Sequence, residues 1–490
     1  FGRYTHDDAD QSIPRQLGVY NTLIGSRMRY STVQFNNTFS PALLSTTSMS
    51  FNRSNISPDI ILNIDYPKNL YFLHHGYPPT FVYTGVDPFG IADAPRLSVL
   101  NKWEMSESLF YTKGAHSMKF GGVYQKTGFN TNGPSAGVYG SFNWNSAASF
   151  LADNTIQALQ VEVPGADTAR TIRGTFFGFY FQDGWQVRPN FTLNLGLRYE
   201  PWTSPSEKWN RVSTYRDWVT ATRFSNPATD GTDTYLNSPG EKSFSPRVGF
   251  AWDLNGDGKT AIRGGAGIFH MIVTPPYLST VARKNPPDAG TLIANDAVNF
   301  AGAAAYALAA TPQIRSLTLS PVTSSEFITY DLDPMYELKF NLTVEREVLP
   351  NLSVALGYVG NRATHILTKS DCNAAPSIQV NGRAFVATGT PRVNRNNGVI
   401  TCSTSDGKSF YNAMTVEVKR RLSGGLQFQT SYTWAKTVDD STTGGGNADY
   451  FEGILTQPYN HKADRGLAAI HLGHNLVMNG LWALPSPQGS

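Results

Sequence analysis

The fold of this chain is constrained most by a pattern that occurs six times: a run of alternating apolar and polar residues, a turn of a few residues, and a second such run. The clearest instance covers residues 176–200, with its turn at residues 188–190. Its second run has an apolar side chain at every second position: Phe191, Leu193, Leu195, Leu197 and Tyr199. Because successive side chains of a strand point to opposite faces, this period of two predicts a hairpin with one apolar and one polar face.

The six predicted hairpins are separated by long polar connections. They cover residues 31–53, 97–128, 176–201, 245–270, 336–367 and 411–437, and a thirteenth run covers residues 474–484. Most runs have about ten residues or more, and a tilted strand needs ~9 to 11 residues to cross a bilayer. The connections between hairpins are about 35 to 65 residues long, and compact soluble domains rarely contain repeated loops of that size.

This asymmetry between short turns and long connections is typical of bacterial outer-membrane barrels, which have short periplasmic turns and long extracellular loops. The pattern therefore predicts an all-β fold, namely an antiparallel transmembrane β-barrel with long extracellular loops. About 13 to 14 strands are visible. The predicted location is the outer membrane of a Gram-negative type of cell, with outer-membrane lipid against the apolar face.

The composition agrees with a protein surface that is not wholly exposed to water. Charged residues make up 16% of the 490 residues, below the roughly 25% of soluble domains. No apolar run approaches the ~18 residues of a membrane-spanning helix, whereas a barrel strand needs an apolar residue only at every second position. The formal charge of +3 is small and the basic residues are evenly spread, so no nucleic-acid partner is expected.

Aromatic residues near the ends of the runs suit the two girdles of a membrane barrel. They are Trp185, Tyr199, Trp252, Tyr358, Tyr432 and Trp434. Three charged residues, Asp183, Arg346 and Arg420, interrupt the apolar positions of their runs close to a turn. A charge near a turn lies at headgroup level, where it costs little, whereas Arg or Lys at the bilayer midplane costs ~2 to 4 kcal/mol.

The hairpins contain FYFQDGWQVRPNFTLNLGLRYEPW (179–202), SPRVGFAWDLNGDGKTAIRGGAGIFH (245–270) and VEREVLPNLSVALGYVGNRATHI (344–366). Three further segments cover residues 35–54, 411–440 and 463–485. In sequence and in order, these segments resemble the TonB-dependent receptors of the Oar-like group, which contain a carboxypeptidase-regulatory-like domain. These segments cover nearly all of the hairpins.

The resemblance implies an N-terminal regulatory-like module, a plug domain and a barrel of about 22 strands. Residues 1–490 are then expected to form a fragment of the barrel domain, without the plug, the module or the C-terminal strands. The implied function is energy-coupled uptake of a scarce or bulky solute, of siderophore, glycan or peptide class. The implied partners are the plug domain, the TonB complex and an unknown extracellular solute.

Two other functions fit the same pattern. A passive porin-like channel needs no plug, and an outer-membrane surface or adhesion protein would use its long loops to bind partners. A soluble β-sandwich enzyme is less compatible, because its connections are short at both ends. No Ser/His/Asp or Cys/His arrangement has a supporting context, so no enzymatic activity, catalytic residue or cofactor is predicted.

Charged residues at the polar positions of the runs predict a charged lumenal wall. These candidate lumenal residues are Arg198, Glu200, Lys339, Glu345, Glu417, Lys419 and Arg421. Two interpretations stay open for them. They form structural ion pairs across the wall, or some of them line a solute path or contact the plug.

The two cysteines, Cys372 and Cys402, both lie in the connection between the fifth and sixth hairpins. In an oxidising compartment they would close this connection as a disulfide, whereas two free thiols would be expected in the cytosol. Because the chain is predicted to be exported, a disulfide is expected.

No metal site is predicted, although two groups of residues contain possible metal ligands. Asp253, Asn255, Asp257 and Gly258 match the start of a calcium loop, but the twelfth position is Gly264 rather than Glu, so a tight turn is expected. Four residues near the last run form a looser set: His461, Asp464, His471 and His474.

Overall fold

The computed structural model describes residues 1–15, 18–65, 77–83, 86–91, 97–133, 139–152, 158–162, 167–221, 236–282, 291–295, 325–381, 383–440, 453–455 and 460–484. Fourteen strands form one antiparallel wall. They are β1 (Gly2–Pro14), β2 (Tyr20–Ser40), β3 (Leu43–Leu62), β4 (Leu97–Lys113), β5 (His116–Asn132), β6 (Arg170–Arg188), β7 (Phe191–Tyr199), β8 (Phe244–Asp253), β9 (Thr260–His270), β10 (Tyr336–Leu349), β11 (Leu352–Asp371), β12 (Ile400–Ser423), β13 (Leu426–Asp439) and β14 (His474–Trp482).

Each strand of the wall pairs with the next one in the chain. The six predicted hairpins and the thirteenth run are confirmed, as is the all-β, antiparallel fold. Within the described ranges, no hydrogen-bonded pair joins β1 to β14.

Strand β1 was missing from the sequence-based prediction. Its residues alternate poorly, because acidic side chains occupy neighbouring positions at Asp7 and Asp8. Most of β1 pairs with the half of β2 that lies farther from the short turn between β2 and β3, from Asn21 to Arg29. This half lies beyond the apolar part of β2. Since this part of the wall does not contact the hydrocarbon interior of the membrane, its apolar and polar residues need not alternate.

The short turns lie at one end of the wall and the long connections at the other. The turn after β8 illustrates the short kind, since the Asp253 carboxylate accepts hydrogen bonds from the amides of Gly256 (3.1 Å) and Gly258 (2.8 Å). Both glycines have positive φ angles, which favours glycine at these positions. The expected tight turn is confirmed, and the end with short turns is the periplasmic one.

The register shows which side chains share a face, because directly paired residues point to the same side of an antiparallel sheet. One continuous row contains only apolar residues: Val33, Met49, Met105, Tyr124 and Phe177. The positions between them form the polar row of Gln34, Ser48 and Ser106, which meets an apolar residue only at Val123. The apolar rows form the outward, lipid-facing side of the wall, and the polar rows form the lumenal side.

Three charged residues in the lower part of the outward face have local partners. Near the periplasmic turns, Asp183 lies 2.7 Å from Nδ1 of His116, and Nη2 of Arg420 donates to the carbonyl of Ser423 at 3.3 Å. Glu107 is a further exception, which the sequence pattern did not reveal. It lies about six residues from the turn and accepts hydrogen bonds from the hydroxyls of Ser45 and Thr47.

Smaller elements form the outer end. They include helices α1 (Ala147–Leu151) and α2 (Pro275–Ala282) and the 3-10 helices Pro239–Lys242 and His461–Ala463. The strands Thr80–Tyr83, Val86–Phe89, Ser141–Trp144, Ala158–Glu162 and Thr291–Asn295 form a separate sheet, and Ile378–Val380 pairs with Arg383–Phe385. Ser206–Glu207, Ser325–Ile328, Gly453–Ile454 and Gly466–Leu467 extend the wall. No described helix has both the length and the apolar character to span a membrane.

The main buried core lies at this outer end rather than in the wall, because one face of a single-layered wall meets lipid and the other meets the lumen. Leu278 of α2 packs with Ile172 of β6, Leu367 of β11 and Ile328. The Arg170 guanidinium, 1% exposed, donates to the carbonyl of Ala282 at the end of α2 (3.1 Å). Helix α2 is therefore held between β6 and β11, strands on well-separated parts of the wall.

Candidate functional site

The lumenal face carries a row of basic side chains between β5 and β10. Lys119, Arg247 and Lys339 share one row of the register, connected through Gln182, Gly196 and Gly267. Arg198 lies on the same face, two positions from Gly196 on β7. We call Lys119, Arg198, Arg247 and Lys339 the basic belt.

The basic belt slants across the wall because barrel strands are tilted by ~35 to 45°. Lys119 lies about four residues from its periplasmic turn, whereas Lys339 lies about ten residues from the end of β10. At ~3.3 Å per residue and a tilt of ~40°, the belt rises by about 15 Å. It therefore follows a sloping path along the lumenal side.

Aromatic rings hold the cations of the belt. Lys119 lies 4.9 Å from the centre of the Phe110 ring and 5.5 Å from that of Tyr180, which also lies 5.9 Å from the guanidinium of Arg198. The Phe269 ring lies 4.3 Å from Arg247 and 5.4 Å from Lys339. Cations within ~6 Å of a ring face are attracted to it, so the rings orient the charges without neutralising them.

Two carboxylates neutralise part of the belt. Glu200 lies 2.6 Å from Nε of Arg198, and Glu337 lies 2.7 Å from Nζ of Lys339. In the described part of the chain, no carboxylate forms an ion pair with Lys119 or Arg247. The belt thus has two more positive than negative groups, which gives this lumenal surface a positive potential.

Small residues leave room beside these cations. A Cβ at Gly178 would lie 3.0 Å from Nη2 of Arg198 and 2.8 Å from Val123, so glycine allows the guanidinium to lie against the strand. A hollow of about 460 Å³ is lined by Arg198, Arg247 and Gly196, among others. A solute group could therefore approach both guanidinium groups.

A second group of charges lies on the lumenal face near the periplasmic turns. Arg263 lies 2.7 Å from Glu345, and Lys419 and Arg421 line the same hollow of about 240 Å³. Glu417, in the row of Glu345, accepts a hydrogen bond from Nε2 of Gln429 (2.6 Å). We call Arg263, Glu345, Glu417, Lys419 and Arg421 the periplasmic cluster.

A third hollow, of about 400 Å³, lies on the lumenal side near the outer end. Its walls include Lys102 of β4, Phe176 of β6, Trp202 and the segment 272–275 that leads into α2. Here the connection between β9 and β10 meets the polar face of β4 to β6. This outer hollow is more apolar than the basic belt and lies between the belt and the extracellular side.

The structure separates the candidate lumenal residues into two groups. Arg198, Glu200 and Lys339 belong to the basic belt or pair with it, whereas Glu345, Glu417, Lys419 and Arg421 belong to the periplasmic cluster. Sequence reasoning missed Lys119, Arg247 and Arg263, although each occupies a polar position of its run. The signal was therefore present, but pairing between strands was needed to bring these residues together.

The cysteines lie at the outer end of β11 and β12. The structure joins Cys372 to Cys402 with a Cα–Cα distance of 5.8 Å. Cys402 is fully buried beside Tyr215, Phe327 and Ile400. The disulfide thereby anchors the segment between β11 and β12 to a second buried cluster at the outer end.

The histidines near β14 have separate partners. His461 lies 3.1 Å from Asp406, and Nδ1 of His474 lies 2.7 Å from the hydroxyl of Tyr432. The amide of Thr437 donates to His471 at 3.3 Å. Across the residues that the structure covers, no group of three or more His, Cys, Asp or Glu side chains is arranged to hold a metal ion.

Comparisons with known proteins agree with this architecture. Residues 1–490 match the family model described as an outer membrane beta barrel domain. The solved structures that resemble the chain include the outer membrane transporter YddB from Escherichia coli, with a TM-score of 0.50, 12% identity, and coverage of 90% of this chain and 46% of that one. The search of curated proteins gives no match.

Two further solved structures are less similar. The pyoverdine outer membrane receptor FpvA from Pseudomonas aeruginosa PAO1 has a TM-score of 0.45 at 10% identity, covering 88% of this chain and 46% of that one. The ferric yersiniabactin uptake receptor FyuA from Yersinia pestis has a TM-score of 0.44 at 7% identity, covering 96% and 49%. The chain spans about half the length of these structures.

Proposed function

Because the chain belongs to the outer membrane β-barrel domain family, we propose that it forms the wall of a TonB-dependent receptor that imports a scarce or bulky solute. The observation that carries this proposal is the basic belt, a sloping path of oriented cations on the lumenal side. The resemblance of the hairpin segments, such as residues 179–202 and 344–366, supports the Oar-like group. In this proposal residues 1–490 all belong to the barrel domain of that receptor.

The basic belt favours a solute that carries negative charge and flat or apolar groups. Lys119 and Arg247 have no carboxylate partner among the described residues, so an anionic group could bind without displacing an ion pair. Tyr180 and Phe269 lie between the cations and offer surfaces for planar groups. The outer hollow beside Trp202 would contact the solute first, and the belt would follow deeper in the lumen.

The periplasmic cluster fits a different partner. It contains both signs of charge, and its members sit beside the short turns. A surface of mixed charge suits polar contacts with a folded plug domain better than capture of one anionic solute. We assign the cluster to the plug, which would have to shift before a solute could pass.

Uptake measurements test the proposal on the complete protein. A strain that lacks the gene would be compared with the complemented strain for uptake of three labelled probes: an iron complex of an anionic siderophore, an acidic oligosaccharide and an oligopeptide. We expect one probe to be taken up only with the gene, and only while TonB and the proton gradient are intact. Uptake that persists without TonB would indicate a passive channel, and unchanged uptake of all three probes in the deletion strain would indicate a surface protein.

A further inference from the structure

The outward face of β3 to β6 carries three basic side chains near the outer edge of the apolar band. Arg53, Asn101, Gly128 and Arg173 form one row of the register, and Lys126 lies two positions below Gly128. Arg53, Lys126 and Arg173 are exposed. They share the face of Met49, Met105 and Tyr124, so they point toward the membrane rather than the lumen.

The height of these residues can be estimated from the periplasmic turns. Arg53 and Lys126 each lie about ten residues from a turn, which at ~3.3 Å per residue and a tilt of ~40° is about 26 Å. The apolar band of an outer-membrane barrel is ~25 Å tall. Aromatic pairs lie beside or just below them: Phe51 with Trp103 (4.2 Å) and Tyr124 with Phe177 (5.4 Å). Arg53 and Lys126 therefore lie at the level of the outer-leaflet headgroups, and Arg173, about fifteen residues from the turn after β6, lies about 12 Å farther out.

The three cations have no acidic partner among the residues that the structure describes. Arg53 contacts only a neutral group, the Oδ1 of Asn101 at 2.8 Å. The neighbouring β2 provides a contrast, because Arg29 lies 2.7 Å from Asp8 and Arg27 lies 3.0 Å from Asp10. Among the described residues of the outward face, the protein thus neutralises the cations of β2 but not Arg53, Lys126 and Arg173.

The space between the cations is open. Gly128 lies between Asn101 and Arg173 in the row, and a Cβ at this position would meet no atom within 4 Å. Adjacent strands are ~4.8 Å apart, so Arg53 and Arg173, three strands apart, are separated by about 14 Å. Long side chains from both sides and from Lys126 below can reach a common group above Gly128.

We propose that Arg53, Lys126 and Arg173, arranged around Gly128, bind a phosphate group on the headgroup of an outer-leaflet lipid. The acyl chains of this lipid would run down the apolar rows past Trp103, Tyr124 and Phe177. The same molecule would therefore neutralise the cations and contact the aromatic rings. Arginine binds phosphate with paired hydrogen bonds, and lysine supplies a point charge. The site is independent of the proposed uptake function, because it lies on the opposite face of the wall.

The test measures lipid binding to the full-length protein in detergent by native mass spectrometry. The probes are lipid A with two phosphates, the same lipid after removal of both phosphates, and inorganic phosphate alone. Basic groups near a membrane surface contribute about fivefold each to binding of acidic lipids. We therefore expect the triple variant Arg53→Gln, Lys126→Gln, Arg173→Gln to bind phosphorylated lipid A about a hundredfold more weakly.

Two controls make the result decisive. Lys113→Gln removes a cation from the same face of β4 at the periplasmic rim and should leave binding unchanged. Gly128→Leu keeps all three charges but fills the open space, and it should weaken binding even if the triple variant fails to fold. Equal binding of the lipid with and without phosphates, or a triple variant that binds like the wild type, would overturn the proposal. Competition by inorganic phosphate at equal concentration would also overturn it, because the lipid body would then contribute nothing.

Discussion

The ammonium group of Lys369, near the outer end of β11, lies 2.6 Å from the carboxylate of Glu326, and these side chains are only 12% and 10% exposed. Glu326 belongs to the strand Ser325–Ile328, which pairs in parallel with the start of β12. The Lys369 ammonium also lies 5.8 Å from the ring of Tyr277 in α2. One buried ion pair thus joins the β9–β10 connection to the wall beneath it.

We expect Lys369→Met to destabilise the outer end by about 3 to 5 kcal/mol, because it leaves the Glu326 carboxylate buried without its cation. Hydrogen exchange of the amides in Ser325–Ile328 and at the start of β12 would measure this loss. The double variant Lys369→Met, Glu326→Met should recover most of the protection, since it removes both charges. Equal loss in the single and double variants would show that packing, and not the charge, holds this strand.

Arg247 and Lys339 test the basic belt. Replacing both with Gln removes two cations that share the Phe269 ring, while the barrel fold should persist because neither is buried in the core. Partly exposed charges contribute about 0.2 to 1 kcal/mol each, so the Kd for an anionic solute should rise by up to about fivefold per charge. Equilibrium binding to the purified protein at low and high salt checks this, with Lys113→Gln as the control. If the Kd changed neither with salt nor with the two substitutions, the basic belt would not take part in binding the solute.

Glu107 tests how the wall tolerates a charge among lipid-facing residues. Ser45→Ala together with Thr47→Val removes both hydroxyl donors and should cost about 1.5 to 3 kcal/mol for each hydrogen bond to the carboxylate. Glu107→Leu should be neutral or stabilising, because it removes the group that needed the donors. Urea unfolding in lipid vesicles measures both effects, with Ser48→Ala on the lumenal face as the control. A destabilised Glu107→Leu variant would indicate that the carboxylate has another role.

Cys372 and Cys402 should react with a thiol reagent only after reduction. In the chain-entropy model, a disulfide that closes a loop of 30 residues contributes about 3 to 4 kcal/mol. The double variant Cys372→Ser, Cys402→Ser should therefore be cleaved faster by protease between β11 and β12. Labelling of both thiols in the unreduced protein from the outer membrane would contradict the predicted bond.

Asp440, just after β13, gives the outer end a pH dependence. Burial raises the pKa of its carboxyl group above 3.8, although the amide of Lys408 donates to it at 2.6 Å. The folded state then holds the proton more tightly than the unfolded state, so this group favours folding below pH 3.8 and loses that contribution as the pH rises through the raised pKa. Asp440→Asn should be more stable than the wild type at neutral pH, and the difference should shrink toward acidic pH.

Thermal unfolding at different pH values measures this effect. Asp217 provides a control in which the carboxylate changes stability in the opposite direction. The hydroxyl of Thr220 lowers the pKa of the Asp217 carboxyl below 3.8, so its contribution is present above that pH and is lost as the pH falls through the lowered pKa. Asp217→Asn should therefore remove stability at neutral pH. If Asp440→Asn behaved in the same way, burial would not dominate the Asp440 carboxyl.

Prediction from the sequence worked best where apolar and polar residues alternate within a single strand. The run from Phe191 to Tyr199 showed both its faces by alternation alone, and its short turn fixed its partner strand. The prediction failed at β1, whose pairing lies mostly beyond the apolar band. It also failed at Glu107, because the hydroxyls that accommodate this carboxylate come from β3, across a long connection.

The alternation by itself determined the two-faced antiparallel wall, the short-turn end and the membrane location, since these depend on residues that are neighbours in the chain. Only the tertiary structure decided which charges meet. The row that joins Lys119 to Lys339 and the patch of Arg53, Lys126 and Arg173 both depend on register between hairpins. Long connections do not fix that register, because a loop of many residues can close over several alignments at little entropic cost. Hydrogen bonding along whole strands and packing at the outer end select the alignment, and with it the surfaces proposed for solute and lipid.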